Sequence, residues 1–216
     1  MKAGKMVQKE PLHTTQADHT VAGSIHKWFA SDLQFHRLYP QAVHAQANMH
    51  WTPLHVARKA AEFLTADKNK RILDIGSGGG KFCLAAAYYC PDGTYTGVEQ
   101  RANLVTCAED ARRTLGLTNV SFLHQNILHT DLSAYDHFYF FNSFFENLDD
   151  AFRIDESLTY SRELYAQYNR YVFRQLEKKP AGTRLATFHS TENEIPGSYH
   201  EVAVSADELL KFWVKV

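Results

Sequence analysis

Between Arg71 and Ser190 the chain alternates short apolar runs with longer amphipathic stretches. The runs are RILDI at 71–75, TYTGVE at 94–99, VSFLHQ at 120–125, HFYFFN at 137–142 and RLATFHS at 184–190, each too short for a helix and most of them rich in β-branched or aromatic residues. Each reads as a strand. Helical spacing between most of them implies right-handed βαβ crossovers and a mainly parallel sheet. Residues 159–176, TYSRELYAQYNRYVFRQL, repeat apolar positions at three- and four-residue intervals and predict a helix before the fifth strand. SYHEVAV and KFWVKV near the C-terminus lie too close together for a helix between them, which predicts an antiparallel hairpin.

Upstream of the first run, apolar residues recur at roughly helical intervals as Trp28, Phe29, Leu33, Phe35 and Leu38, then as Leu54, Ala57, Ala61 and Leu64. Tyr39-Pro40 divides them into at least two helices, with Thr52 as N-cap and Pro53 at the first helical position of the later one. The first 20 residues show no hydrophobic period. The expected organisation is a flexible tail over 1–20, an N-terminal helical segment over 21–66 and one α/β domain over 67–216, with no internal repeat. The fold class is α/β, a Rossmann-like doubly wound, mainly parallel sheet carrying that helical segment in front and an antiparallel hairpin behind.

Composition narrows the partners. A length of 216 residues suits one α/β unit with its own core, and 23 basic against 24 acidic residues leave a net charge of −1. No global field draws the chain to nucleic acid or to an anionic membrane. Three cysteines, Cys83, Cys90 and Cys107, lie in or beside helical stretches and fit reduced thiols in a cytosol. No apolar leader and no run long enough for a membrane span is seen, so a cytoplasmic location is expected. The 12 histidines pair at the wrong spacing for a metal, His50 with His55 and His124 with His129 being five apart, so no metal site is expected.

The chemistry is concentrated in LDIGSGGGKF after the first strand. A ligand gripped there must approach the backbone closely, which favours residues without a Cβ and faces the next helix N-terminus toward a negative group. Gly76, Gly78 and Gly80 follow G-x-G-x-G, whereas the dinucleotide fingerprint needs its third glycine at 81, where Lys81 stands. The spacing argues against a pyrophosphate. Glu99, 23 residues beyond Gly76 at the end of the second strand, is placed to accept two hydrogen bonds from ribose hydroxyls.

Together LDIGSGGGKF and GVEQ resemble the first two motifs of the class I S-adenosylmethionine-dependent methyltransferases, over roughly residues 50–190. The resemblance implies S-adenosyl-L-methionine as cofactor, with the loop from Asp74 to Gly80 on its methionyl part, Asp74 near its ammonium group and Glu99 on its ribose. The acid that family members usually carry after the third strand, for the adenine amino group, is replaced by Asn126, whose amide oxygen can accept the same bond. HWTPLHVA resembles the segment that covers the methionine end, which makes Trp51, Thr52 and Pro53 weaker candidates. Lys81 reads as a solvated lysine. At the end of the fourth strand, Asn142-Ser143-Phe144-Phe145 keeps the asparagine and last aromatic of the amine-directed members but lacks their prolines; it also faintly resembles the Asn-Phe turn of lysine methyltransferases on this fold. Asn142 is therefore the catalytic candidate, with Phe140, Phe141, Phe144 and Phe145 read mainly as core and rim.

The implied reaction is in-line methyl transfer to an unidentified acceptor, an amine being favoured over an alcohol or amide. His189 is a general-base candidate that reads more simply as structural, and Glu146 either takes a proton or faces solvent. The acceptor class stays open among a small molecule, a protein side chain and RNA, with no membrane involvement. The helical segment before the sheet is expected to act as a lid over the cofactor or as a homodimer surface. Two other readings remain at this point: an NAD(P)-dependent oxidoreductase, and a non-enzymatic protein that retains the fold.

Overall fold

The computed structural model describes residues 25–44, 47–190 and 194–216; the tail expected over 1–20 lies outside the described residues. The five apolar runs form strands β1 (Arg71–Ile75), β2 (Thr94–Glu99), β3 (Val120–His124), β4 (His137–Phe141) and β5 (Arg184–Phe188). The C-terminal hairpin is β6 (Tyr199–Ser205) and β7 (Leu210–Lys215). They make one seven-stranded sheet in the order β3-β2-β1-β4-β5-β7-β6. The first five strands are parallel, and β7 enters antiparallel beside β5 with β6 outside it. The fold is thus the expected mixed Rossmann-like sheet. Its strand order reverses between β1 and β4, where a crevice opens at the carboxyl ends.

Alternation along the strands separates two cores. Ile72 and Tyr139 face one side of the sheet, where helices α4 (Leu54–Leu64), α5 (Lys81–Tyr89) and α6 (Ala102–Leu115) pack. Leu73, Ile75, Phe138 and Phe140 face the other, under α7 (Arg162–Glu177). Both faces are covered, which is why the parallel strands read as nearly continuous apolar runs. Helix α7 is capped by Ser161, whose hydroxyl accepts the Leu164 N–H at 3.1 Å, two residues inside the start of the periodic stretch.

The N-terminal segment has the expected break at Tyr39-Pro40 and more than two helices, most of them short. It is a chain of short turns: a 3₁₀ turn at His26–Phe29, α1 (Asp32–His36), α2 (Gln41–His44) and α3 (Ala47–His50), leading into α4. Ser31 caps α1 through a 3.2 Å bond from the Gln34 N–H. Thr52 does not cap α4; that helix starts at Leu54 with Pro53 in the capping position. The Thr52 hydroxyl bonds the Tyr139 hydroxyl at 2.9 Å, and Asp32 from α1 accepts the Leu54 N–H at 3.0 Å instead. The cap is supplied from 22 residues away, so no local pattern could announce it.

Candidate active site

A cavity of about 380 Å³ lies at the carboxyl ends of β1, β2, β4 and β5. That volume falls within the usual range of small-ligand and cofactor sites. Gly76, Gly78, Glu99, Asn126 and Asn142 all line it, together with Trp51, Pro53 and His189. Asp74 and Gly80 do not; they stand behind the wall.

The glycines divide their work. Gly76, Gly78 and Gly80 all adopt positive φ, of 73°, 52° and 79°. A methyl group on Gly76 would lie 2.5 Å from the Ser143 Cβ, so the turn after β1 and the turn after β4 meet there without room for a side chain. On Gly80 it would lie 2.4 Å from the Phe122 ring and 2.9 Å from the Ala108 Cβ, so this glycine seats α5 against β3 and α6. On Gly78 it would meet nothing within 4 Å among the described residues. Gly78 thus leaves space on the cavity side, where a ligand can reach the backbone.

Asp74 sits under the turn, 3 % exposed, with the Cys83 thiol donating to it at 3.6 Å. Burial pushes its carboxyl up to about 8. Glu99 is buried yet well held: its carboxylate accepts the Gly78 N–H at 3.1 Å and the Arg101 N–H at 3.0 Å. Two of roughly four lone-pair positions remain for a ligand. Asn126 is more committed. Its oxygen takes the Leu128 N–H at 2.9 Å, and its amino group reaches Gln100 and Tyr168, both at 3.2 Å. One lone pair on the oxygen is left over.

At the end of β4, Asn142 has φ of 42°, an unusual conformation for a residue other than glycine. The turn is pinned by the Ser143 hydroxyl on the Ile75 carbonyl and by the Phe145 N–H on the Asn142 carbonyl at 3.2 Å. Of the aromatic cluster, Phe140 and Phe144 are buried, whereas Phe141 and Phe145 are partly exposed and line the cavity. His189, with φ of 57°, stacks on Phe141 with ring centroids 5.5 Å apart, and burial lowers its basicity.

Three features escaped the sequence. Lys81 is not solvated: it is 4 % exposed, paired with Asp32 of α1, and 3.1 Å from the His36 Nε2. Tyr39 adds a 2.8 Å bond to the Gly79 carbonyl, so the short N-terminal turns brace the glycine loop from outside. His50 also lines the cavity; its Nε2 is buried without a hydrogen-bond partner among the described residues, and burial and the Arg101 charge keep it neutral. Arg101 itself is buried at the N-cap of α6. A cation there opposes the helix dipole, which was the available signal that it needs carboxylate partners. Glu146, expected at the surface or as a proton acceptor, is 8 % exposed and is one of those partners, 2.6 Å from the Arg101 Nη2.

The lysine clamp carries a pH prediction. His36 must be neutral to accept from Lys81, and burial followed by the Lys81 charge lowers its pKa below 6.5, with Asp32 opposing and His44 adding. A depressed folded pKa means that this stabilisation is present above 6.5 and is lost as the pH falls from there through the folded value. The melting temperature should therefore drop more between pH 7.5 and pH 5 in the wild type than in a His36→Gln variant. Equal drops would remove His36 from the clamp.

A glycine-cradled crevice at the switch point, with an acid at the end of β2, suits a nucleoside-bearing ligand, and with the family match that follows it makes the protein a class I S-adenosylmethionine-dependent methyltransferase whose cofactor is S-adenosylmethionine. The methyltransferase-domain family matches residues 66–204, and the chain belongs to that family. The chain is 47% identical over 55 residues to a tRNA (guanine-N(7)-)-methyltransferase of Prochlorococcus marinus (strain NATL2A), which is 26% of each chain. A protein of that description from Synechococcus sp. (strain JA-3-3Ab) is 53% identical over 55 residues, 26% of this chain and 23% of that one. The match thus spans about a quarter of the length of these curated relatives. Among solved structures, TrmN from Thermus thermophilus superposes with a TM-score of 0.55 at 18% identity, covering 79% of this chain and 51% of that one. An RNA methyltransferase from Salinibacter ruber in complex with S-adenosyl-L-homocysteine gives 0.54 at 18%, covering 76% and 91%. These two show the fold.

Proposed function

We propose that this protein transfers a methyl group from S-adenosylmethionine to a nitrogen acceptor in the cavity between β1 and β4. The observation that carries the reading is the convergence on one cavity of the open backbone at Gly78, the held carboxylate of Glu99 and the asparagine of the β4 turn. Membership of a transferase family sets the oxidoreductase reading aside.

The residues present fit the cofactor. Gly76 and Gly78 admit its methionyl part to the backbone, Glu99 takes ribose hydroxyls on its free lone pairs, and Asn126 offers its remaining one to the adenine amino group. Asp74 and Gly80 support the loop from behind. When bound, the cofactor supplies an activated methyl group, so the chain has mainly to align the acceptor and exclude water. Asn142 accepts the acceptor's N–H bonds and fixes its lone pair, while Phe141 and Phe145 flank the acceptor and displace solvent. His189, neutral through burial, takes a proton when the acceptor must lose one. Trp51 and Pro53 close the methionine end, and the turns clamped through Lys81 act as the brace of that lid.

RNA, a protein side chain and a small molecule are the acceptor classes. The local likeness to tRNA (guanine-N(7)-)-methyltransferases makes RNA the first to test. Three free cysteines support a cytoplasmic location, and no helix among the described residues is long and apolar enough to cross a membrane.

The test is incubation with methyl-tritiated S-adenosylmethionine and, separately, bulk tRNA, a protein mixture and free nucleobases. Label is expected in one pool. In Asn142→Ala its rate should fall by about tenfold to a hundredfold, in line with loss of one hydrogen bond to the reacting group, while cofactor affinity changes little. Undiminished transfer by Asn142→Ala would remove that residue from catalysis.

A further inference from the structure

Residues 142–161 link β4 to α7 with only two 3₁₀ turns, Phe145–Asn147 and Asp150–Phe152, and yet they supply Phe145, Glu146, Phe152 and Ile154 to the cavity wall. An irregular segment of that length needs ties to a rigid element if its side chains are to hold position. Arg101 provides them. Its guanidinium donates through Nη2 to Glu146 at 2.6 Å and to the Tyr160 hydroxyl at 2.8 Å, and through Nε to Asp155 at 3.3 Å. Tyr160 donates onward to the Asp155 carbonyl at 2.5 Å. The same residue holds Glu99, by its backbone N–H at 3.0 Å and by Nη1 at 3.5 Å.

One buried cation therefore stands between the carboxylate of the cofactor half and two carboxylates of the segment that walls the other half. Burial by itself would lower the Arg101 pKa, but the Glu146 bond and the surrounding acids raise it, so it stays charged. These four guanidinium contacts, two from Nη2 and one each from Nε and Nη1, need a planar fork; a lysine in its place keeps the charge but cannot span them.

We propose that Arg101 is a positioning residue that couples the cofactor half of the cavity to the 142–161 wall, so that loading the first orders the second. The proposal rests on the cofactor reading above. A ribose bonded to Glu99 fixes that carboxylate, which already holds Arg101 by its backbone N–H and its guanidinium. The buried cation then loses freedom, and its ties to Glu146 and Asp155 hold the acceptor wall in one arrangement. Linkage makes the effect reciprocal: a properly seated wall raises cofactor affinity.

Amide hydrogen exchange tests this on the intact chain, because the wall contains protectable N–H groups, among them those of Asn147, Leu148 and Phe152 on backbone carbonyls. In the wild type, saturating S-adenosylmethionine should slow exchange by about tenfold or more in peptides covering 76–80 and in peptides covering 143–157. In Arg101→Lys the first protection should remain and the second should vanish. Equal protection of 143–157 in both proteins would overturn the proposal, as would protection of the glycine turn alone in the wild type. No protection anywhere in the wild type would contradict the cofactor reading itself and the coupling with it. Should Arg101→Lys fail to fold, the double variant Glu146→Gln with Asp155→Asn removes both charged ties from the wall side and leaves Glu99 untouched. It too should lose protection over 143–157 only; retained protection there overturns the proposal.

Discussion

Alanine at Gly80 is expected to cost the protein a substantial part of its stability, whereas alanine at Gly78, two residues earlier in the same turn, should leave it folded and blind to the cofactor. Both positions have positive φ, and an L side chain in that conformation costs about 1–2 kcal/mol. At Gly80 the new methyl group would also collide with Phe122 at 2.4 Å and Ala108 at 2.9 Å. Overpacking of that kind adds about 1–3 kcal/mol, so a total of roughly 2–5 kcal/mol is expected, against a typical stability of about 5–15. At Gly78 no atom of the described residues lies within 4 Å, and only the backbone cost applies. The methyl group there instead occupies the space from which a ligand reaches the Gly78 backbone. Thermal melts and cofactor titrations of the two variants should thus separate cleanly. Equal melting temperatures would mean that Gly80 does not seat α5.

The second large effect is expected at Glu99. Its two oxygens each accept a backbone N–H, from Gly78 and from Arg101. Glutamine has only one acceptor oxygen, and its amino group would face one of those donors, so even this isosteric change disturbs the turn. Hydrogen bonds to a charged group contribute about 1.5–3 kcal/mol, which predicts a loss of cofactor affinity of about tenfold to a hundredfold in Glu99→Gln. Glu99→Ala should lose more, and should also leave Arg101 leaning on Glu146, Asp155 and Tyr160. Unaltered affinity in both variants would place the ribose elsewhere.

The sheet was readable because parallel strands buried on both faces leave nearly unbroken apolar runs, and β1 to β5 all start where those runs start. The glycine turn was readable because glycine is the residue that takes its repeated positive φ without strain. Interactions that arrive from far along the chain were not. Lys81 looks like any first-turn lysine until Asp32 and His36 fold over it, and Thr52 looks like a cap until Tyr139 takes its hydroxyl. Asn126 was found as a lining residue, but the Leu128 N–H that occupies half of its oxygen was not foreseen. Arg101 belongs with these: its acids come from 2, 45 and 54 residues away, and only the awkwardness of a cation at a helix N-terminus marks it in the sequence. The acceptor side is the part least written into local pattern, since its wall is irregular and held by such long-range ties.

The most direct test of the central claim is calorimetric titration of the purified protein with S-adenosylmethionine, with NADH in parallel and Glu99→Ala as control. Saturable one-to-one binding of S-adenosylmethionine, no binding of NADH, and loss of the signal in the folded variant is the predicted result. A folded wild-type protein that gives no heat with S-adenosylmethionine would contradict the account.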